Sequence, residues 1–127
     1  MFSHVALGAD DIEATRRFYD AALGALGVPP GVVDEWGRLI YSHASGRFVL
    51  TKPLNGEAAC GANGGTLGFA AASTEAVDAW HAAGAANGGT LIEDAPGIRH
   101  GTEGRTLYLA YLRDPAGNKL CATHRIV

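Results

Sequence analysis

Apolar and polar positions alternate with period two over residues 2–9, with β-formers at Val5 and Leu7, so a strand is expected first. The period then lengthens. Asp10 or Asp11 is placed to cap a helix, and Glu13 adds a carboxylate to its first turn. From residue 12 to 26 the apolar side chains Ile12, Phe18, Tyr19, Ala22, Leu23 and Leu26 recur at helical spacing. Gly27 suits the left-handed residue that closes a helix, and Pro29 and Pro30 prevent its continuation. Three short apolar runs follow, at 32–33, 38–43 and 47–52. Trp36-Gly37 and Ala44-Ser45-Gly46 separate them as turns. The predicted order is β-α-β-β-β.

The pattern then begins again. After a polar stretch rich in Gly, Ala and Asn, a strand is expected over 66–71. Ser73 caps a second helix, with Glu75 in its first turn and Val77, Trp80, His81 and Ala85 along its stripe. Asn87-Gly88-Gly89 ends it. A short strand over 90–93, a polar loop over 94–105 and strands over 106–113 and 118–124 complete the second unit. Asp114-Pro115-Ala116-Gly117 between the last two has the composition of a type I turn. The repeat is also visible in residues: Ser3-His4-Val5-Ala6 aligns with Thr66-Leu67-Gly68-Phe69, Phe18 with Trp80, and 45–51 with 116–122. The chain therefore reads as one α+β domain. Unit 1 covers about 1–53, a linker about 54–64 and unit 2 about 65–127. Neither unit buries both faces of its own sheet, so the two are expected side by side with a concave surface between them.

Composition narrows the function classes. A net charge of −3 without a Lys/Arg cluster argues against nucleic acid or an anionic membrane as partner. The N-terminus lacks a basic segment followed by an apolar run, and no apolar stretch approaches the ~18 residues a membrane span needs. A cytoplasmic protein is expected. Cys60 and Cys121 have no metal-type spacing and are expected reduced. The glycines form neither a dinucleotide fingerprint nor a phosphate loop, and no nucleophile elbow is present.

Three segments resemble the vicinal-oxygen-chelate superfamily of glyoxalases, bleomycin resistance proteins and extradiol dioxygenases. The first runs from His4 through Asp10-Asp11 to Phe18-Tyr19-Asp20 and Leu23-Gly24. The second is Gly65-Thr66-Leu67-Gly68-Phe69. The third and most specific is Tyr111 through Asp114-Pro115-Ala116-Gly117-Asn118 to Leu120. The resemblance spans the chain and implies a cup-shaped, incompletely closed mixed β-sheet barrel with helices outside, commonly as a homodimer. It also implies a divalent metal at the bottom of the cup. The ligand positions are matched here to His4, Leu50, Leu67 and Cys121. A Lewis-acid metal needs about three protein ligands and an open position. Two leucines offer none, so His4 is left as a remnant, no cofactor is predicted and classical glyoxalase chemistry is not expected.

Within that frame His4 and Cys121 are the catalytic candidates, with Cys121 a nucleophile or soft ligand if His4 lowers its pKa. Arg99 and His100 in the loop before the 106–113 strand are candidates for holding a carboxylate or phosphate, with Arg105 beside them. Tyr41, His43, Lys52, Tyr108 and Tyr111 are placed near the cup as ligand contacts. His81 and His124 are read as structural or uninformative. Three functions follow as expectations. One is a metal-free binder of a small organic molecule, favoured by a greasier cup floor. The second is a lyase, isomerase or dioxygenase with a rearranged site using His4 and Cys121, or ligands such as His43 or His100. The third is a drug-sequestering dimer of the bleomycin-resistance type.

Overall fold

The computed structural model describes residues 1–127. In chain order it contains β1 (His4–Gly8), α1 (Ile12–Gly24), β2 (Val32–Val33), β3 (Leu39–His43) and β4 (Gly46–Thr51). Unit 2 follows with β5 (Leu67–Ala70), α2 (Thr74–Ala86), β6 (Thr90–Leu91), β7 (Gly97–His100), β8 (Thr106–Arg113) and β9 (Lys119–Arg125). The helix caps are those the sequence offers. Asp11 Oδ1 accepts from the Ala14 amide at 3.0 Å, and Ser73 Oγ from the Ala76 amide at 3.1 Å. Gly27, at φ +85°, closes α1. Its amide donates to the Gly24 carbonyl and that of Val28 to the Leu23 carbonyl, which satisfies the last turn.

Each unit builds its own sheet. The orders are β1-β4-β3-β2 and β5-β9-β8-β6, with the first pair parallel in each and the rest antiparallel. No strand of one sheet pairs with a strand of the other, so the sheets are not closed into a barrel. One expectation is corrected: the 94–105 loop contains β7, which pairs with the Thr106–Leu109 end of β8. Pro96, Gly97, Gly101 and Gly104 hid it, because the strand carries one large apolar residue, Ile98. What orders it is the free edge of β8, left open where β6 stops at Leu91.

The units meet through α1, α2 and one continuous core. Phe18, Tyr19, Ala22, Leu39, Leu50, Val77, Trp80, Ala110, Leu112, Leu120 and Ala122 are all fully buried in it. Gly84 on α2 permits the helix contact: a Cβ there would sit 2.4 Å from Leu112 Cδ1 and 3.1 Å from Phe18 Cε1. Across the join, Phe48 and Phe69 pack edge to face at 5.6 Å. The polar part of the join is buried. Tyr19 donates its hydroxyl to Asp114 Oδ2 at 2.6 Å, and Asn118 Nδ2 donates to the same carboxylate oxygen at 2.8 Å and to the Gly8 carbonyl at 3.0 Å. Asp114 Oδ1 also accepts from the Ala116 and Asn118 amides, shaping the β8–β9 turn. Burial, then the Asp114 charge, holds the Tyr19 hydroxyl well above its usual pKa, so it remains a donor. No helix is long and apolar enough to cross a membrane.

Candidate functional site

Strand pleat divides each sheet into a core face and an open face. In unit 1, Val5, Leu7, Leu39, Tyr41, Phe48 and Leu50 point to the core. The alternate residues His4, Ala6, Ile40, Ser42, Arg47 and Val49 therefore share the open face. In unit 2, Leu67, Phe69, Tyr108, Ala110, Leu112, Leu120 and Ala122 point to the core. Gly68, Ala70, Leu107, Leu109, Tyr111, Cys121, Thr123 and Arg125 share the open face. Leu109 and Cys121 are buried yet stand outside the core cluster, as this assignment requires.

The two units can be aligned by equivalent bonds. The Ala9 amide donates to the Thr51 carbonyl at 2.9 Å, and the Ala71 amide to the Thr123 carbonyl at 2.9 Å. In that frame His4 corresponds to Thr66, and Cys121 to Val49. The expected assignment of Leu50 and Leu67 as former ligand positions is therefore corrected by one residue each. Both leucines face the core, Leu50 fully buried and Leu67 packed against it. A slip of one residue carries a side chain to the opposite face of a sheet, and both repeats begin with runs too similar to fix the register by eye.

The four open-face positions are thus His4, Val49, Thr66 and Cys121. They do not fit a metal of the kind the fold family implies. Val49 has no donor atom, and no three His, Cys, Asp or Glu side chains come together anywhere in the chain. His4 is exposed, with Ser3 Oγ 2.8 Å from its Nδ1. Cys121 lies in the other sheet, with Thr123 Oγ1 3.1 Å from its sulfur. Burial pushes the Cys121 thiol up, against the opposing pull of its bonds to Thr123 and Tyr111. His4 bonds to Ser3 and Cys121 to Thr123, with no bond between them, so the activated His4–Cys121 pair expected from the sequence is not formed. A buried thiol with a raised pKa reacts slowly. Iodoacetamide at pH 8 should therefore modify native protein once per chain, at exposed Cys60, and twice after denaturation. Mass spectrometry checks this, and rapid native labelling of Cys121 would restore it as a nucleophile.

The remaining candidates separate by face. Tyr41 is a core residue whose hydroxyl donates to Asp20 Oδ1 at 2.7 Å; burial, then that bond, pushes its pKa far up. Tyr108 faces the helix side and donates to Asp78 Oδ1 at 2.7 Å. Neither meets a ligand on the open face. His43 ends β3 on the core-face parity and is exposed, and Lys52 is exposed just beyond β4. Arg99 and His100 are consecutive on β7 and so point to opposite faces, which corrects their expected joint grip on one anion. Arg99 shares the open face with Leu107, and His100 does not. Tyr111 is on the open face, with Lys119 Nζ 4.8 Å from its ring centre.

One depression lies on the open face of unit 2 alone. Gly68, Ala70, Leu107 and Thr123 floor it, and Arg105 and Arg125 stand at its side. A second, more polar one is lined by 61–66 with Arg113, Gly117 and Lys119. Its cations are engaged: Arg113 Nη1 donates to the Gly117 carbonyl at 2.7 Å, and Lys119 pairs with Glu93. Neither of these depressions is lined by both sheets.

Residues 1–122 match the family described as the glyoxalase/bleomycin resistance protein/dioxygenase superfamily. The chain belongs to that superfamily. Among solved structures, a glyoxalase/bleomycin resistance protein from Albidiferax ferrireducens T118 is 56% identical, covers 98% of both chains and has a TM-score of 0.93. A glyoxalase-related enzyme from Fulvimarina pelagi is 20% identical over 98% of this chain and 87% of that one, TM-score 0.71. A lactoylglutathione lyase from Agrobacterium tumefaciens is 21% identical over 98% and 92%, TM-score 0.64. The last two share the fold alone. No curated protein matches the sequence. This superfamily member carries that shallow depression on residues not singled out from the sequence: Gly68, Ala70, Thr123 and Arg125. Counting alternate residues outward from Leu107 and Cys121 would have found them, because every second residue of adjacent strands shares a face.

Proposed function

We propose that this superfamily member binds a small organic molecule on the open face of unit 2, without a metal at the family's usual position. The observation that carries the reading is the depression itself. Gly68 and Ala70 leave its floor low, Leu107 makes it apolar, and a Cβ added at Gly68 would meet nothing within 4 Å. Pockets for small molecules are typically apolar with a few polar groups at fixed positions. The donor set supports binding over metal chemistry, since Val49 offers no donor atom and no three His, Cys, Asp or Glu side chains come together.

A second copy completing the site is part of the proposal, as in a sequestering dimer. It is supported by the open, one-unit character of the depression and by Val32, 66% exposed on the open face of unit 1. A single shallow sheet face buries too little of a ligand for tight binding.

Light scattering and a thermal-shift screen of aromatic and aliphatic compounds test this on the full chain. The expected result is a dimer whose unfolding midpoint rises with a subset of compounds, an effect lost in Gly68→Leu. A stoichiometric transition metal in purified protein, lost in His4→Ala, would overturn it.

A further inference from the structure

The sequence holds three Asn-Gly pairs: Asn55-Gly56, Asn63-Gly64 and Asn87-Gly88. A glycine after asparagine carries no Cβ to shield its amide nitrogen from the asparagine side chain. That nitrogen can then reach the asparagine amide carbon, and the fold decides which pair uses the reach. At Asn55 both partners are held. Its Oδ1 accepts from the Glu57 amide at 3.0 Å, its Nδ2 donates to Glu57 Oε2 at 3.3 Å, and the Gly56 amide donates to the Pro53 carbonyl at 3.1 Å. At Asn87, the C-cap of α2, the side chain is held: Nδ2 donates to the Ala83 carbonyl at 2.8 Å. Asn63 and Gly64 differ. Both are exposed, and neither the Asn63 side chain nor the Gly64 amide makes a hydrogen bond within the chain. They are the central residues of a turn closed by the Gly65 amide on the Ala62 carbonyl at 3.2 Å, with Gly64 at φ +90°.

We infer that Asn63 is a site of spontaneous covalent modification, converting to aspartate and isoaspartate and so placing a carboxylate beside Arg113 and Lys119. The Gly64 nitrogen attacks Asn63 Cγ. A Cγ–N bond to Gly64 forms, the bond from Cγ to the side-chain nitrogen breaks, and ammonia leaves with the Gly64 amide proton. Water then opens the cyclic imide. Cleavage of the new Cγ–N bond gives aspartate, and cleavage of the original peptide bond gives isoaspartate. Water is the only co-reactant, and no atom is oxidised or reduced. Asn63 lines the depression that Arg113 and Lys119 also line, so the reaction exchanges a neutral amide for a negative charge at that surface. Gly61 keeps the turn there: a Cβ on it would overlap the Gly117 carbonyl, so the loop is seated directly on the β8–β9 turn.

Peptide mapping by mass spectrometry of the full chain, held in mildly alkaline buffer, tests this. In native protein Asn63 should convert about tenfold or more faster than Asn55 or Asn87. In urea that selectivity should vanish, because all three pairs then share the same chemistry. Asn63→Gln should remove the native conversion, since the longer side chain closes a larger ring, and an unchanged unfolding midpoint reports that the variant folds. Equal native rates at the three pairs, or conversion at Asn55 or Asn87 ahead of Asn63, overturns the inference. So does a native chain that stays intact at Asn63 while the denatured chain reacts there. Asn63→Asp reproduces the aspartate product. Its unfolding midpoint should exceed that of the wild type at low salt, by an amount that shrinks as salt is raised. A midpoint no higher than the wild type at low salt would overturn the placement of the carboxylate beside Arg113 and Lys119.

Discussion

Asp114→Ala should lower stability by about 4 kcal/mol and the thermal midpoint by roughly 15 °C. The carboxylate is 2% exposed and accepts from four donors: Tyr19 Oη, Asn118 Nδ2 and the amides of Ala116 and Asn118. Hydrogen bonds to a charged acceptor contribute about 1.5–3 kcal/mol each, and a buried donor left alone costs about 1–3 kcal/mol. The sum is reduced because the variant turn can admit water. Circular dichroism melts of Asp114→Ala, Tyr19→Phe and the double variant give the check. Tyr19→Phe should cost less in the Asp114→Ala background than in the wild type, since the two side chains share one bond. Additive losses would show that the bond does not couple the units.

Trp80→Ala should cost about 4 kcal/mol, the usual scale for emptying a fully buried aromatic site. Trp80 is 0% exposed on α2 and belongs to the core shared by both units. Its Nε1 is buried without an acceptor, which makes Trp80→Phe the informative companion. That change leaves a smaller void and removes an unsatisfied donor worth about 1–3 kcal/mol, so its loss should be well under half that of Trp80→Ala. Urea titrations with unchanged m-values measure both. Trp36, 72% exposed, remains as a fluorophore outside the core. A Trp80→Phe loss equal to that of Trp80→Ala would mean that the indole nitrogen has a partner in solution.

Where the chain pays local costs or follows local rules, its sequence was readable. The helices were legible because capping residues and a 3.6-residue period coincide, and Gly27 is the left-handed closure it suggested. The repeat and the turn at Asp114–Gly117 were legible for the same reason: side chain and backbone requirements fall on the same few residues. Long-range information was not. β7 depends on a neighbour's free edge, and its own residues resemble a loop. Leu50 and Leu67 were assigned to the open face because similarity between repeats does not fix parity, and parity decides the face. Tyr41 and Tyr108 were taken as ligand contacts because a tyrosine bonded to an acceptor on a helix looks, in sequence, like one reaching for a substrate. Their acceptors, Asp20 and Asp78, are known only once helix and strand are packed.

The bonds joining the units also bear on how the protein is made. Tyr19 waits for a partner 95 residues further along the chain, and the Gly8 carbonyl for one 110 residues away. At a synthesis rate of about 5–20 residues per second, unit 1 spends several seconds without the surface that covers Phe18 and Tyr19. During that interval β1 and β4 can pair, but their inner face is still wet. The apolar face of the first half therefore stays uncovered until the β8–β9 turn is free to close over it, which the last residues of the sequence alone can bring about.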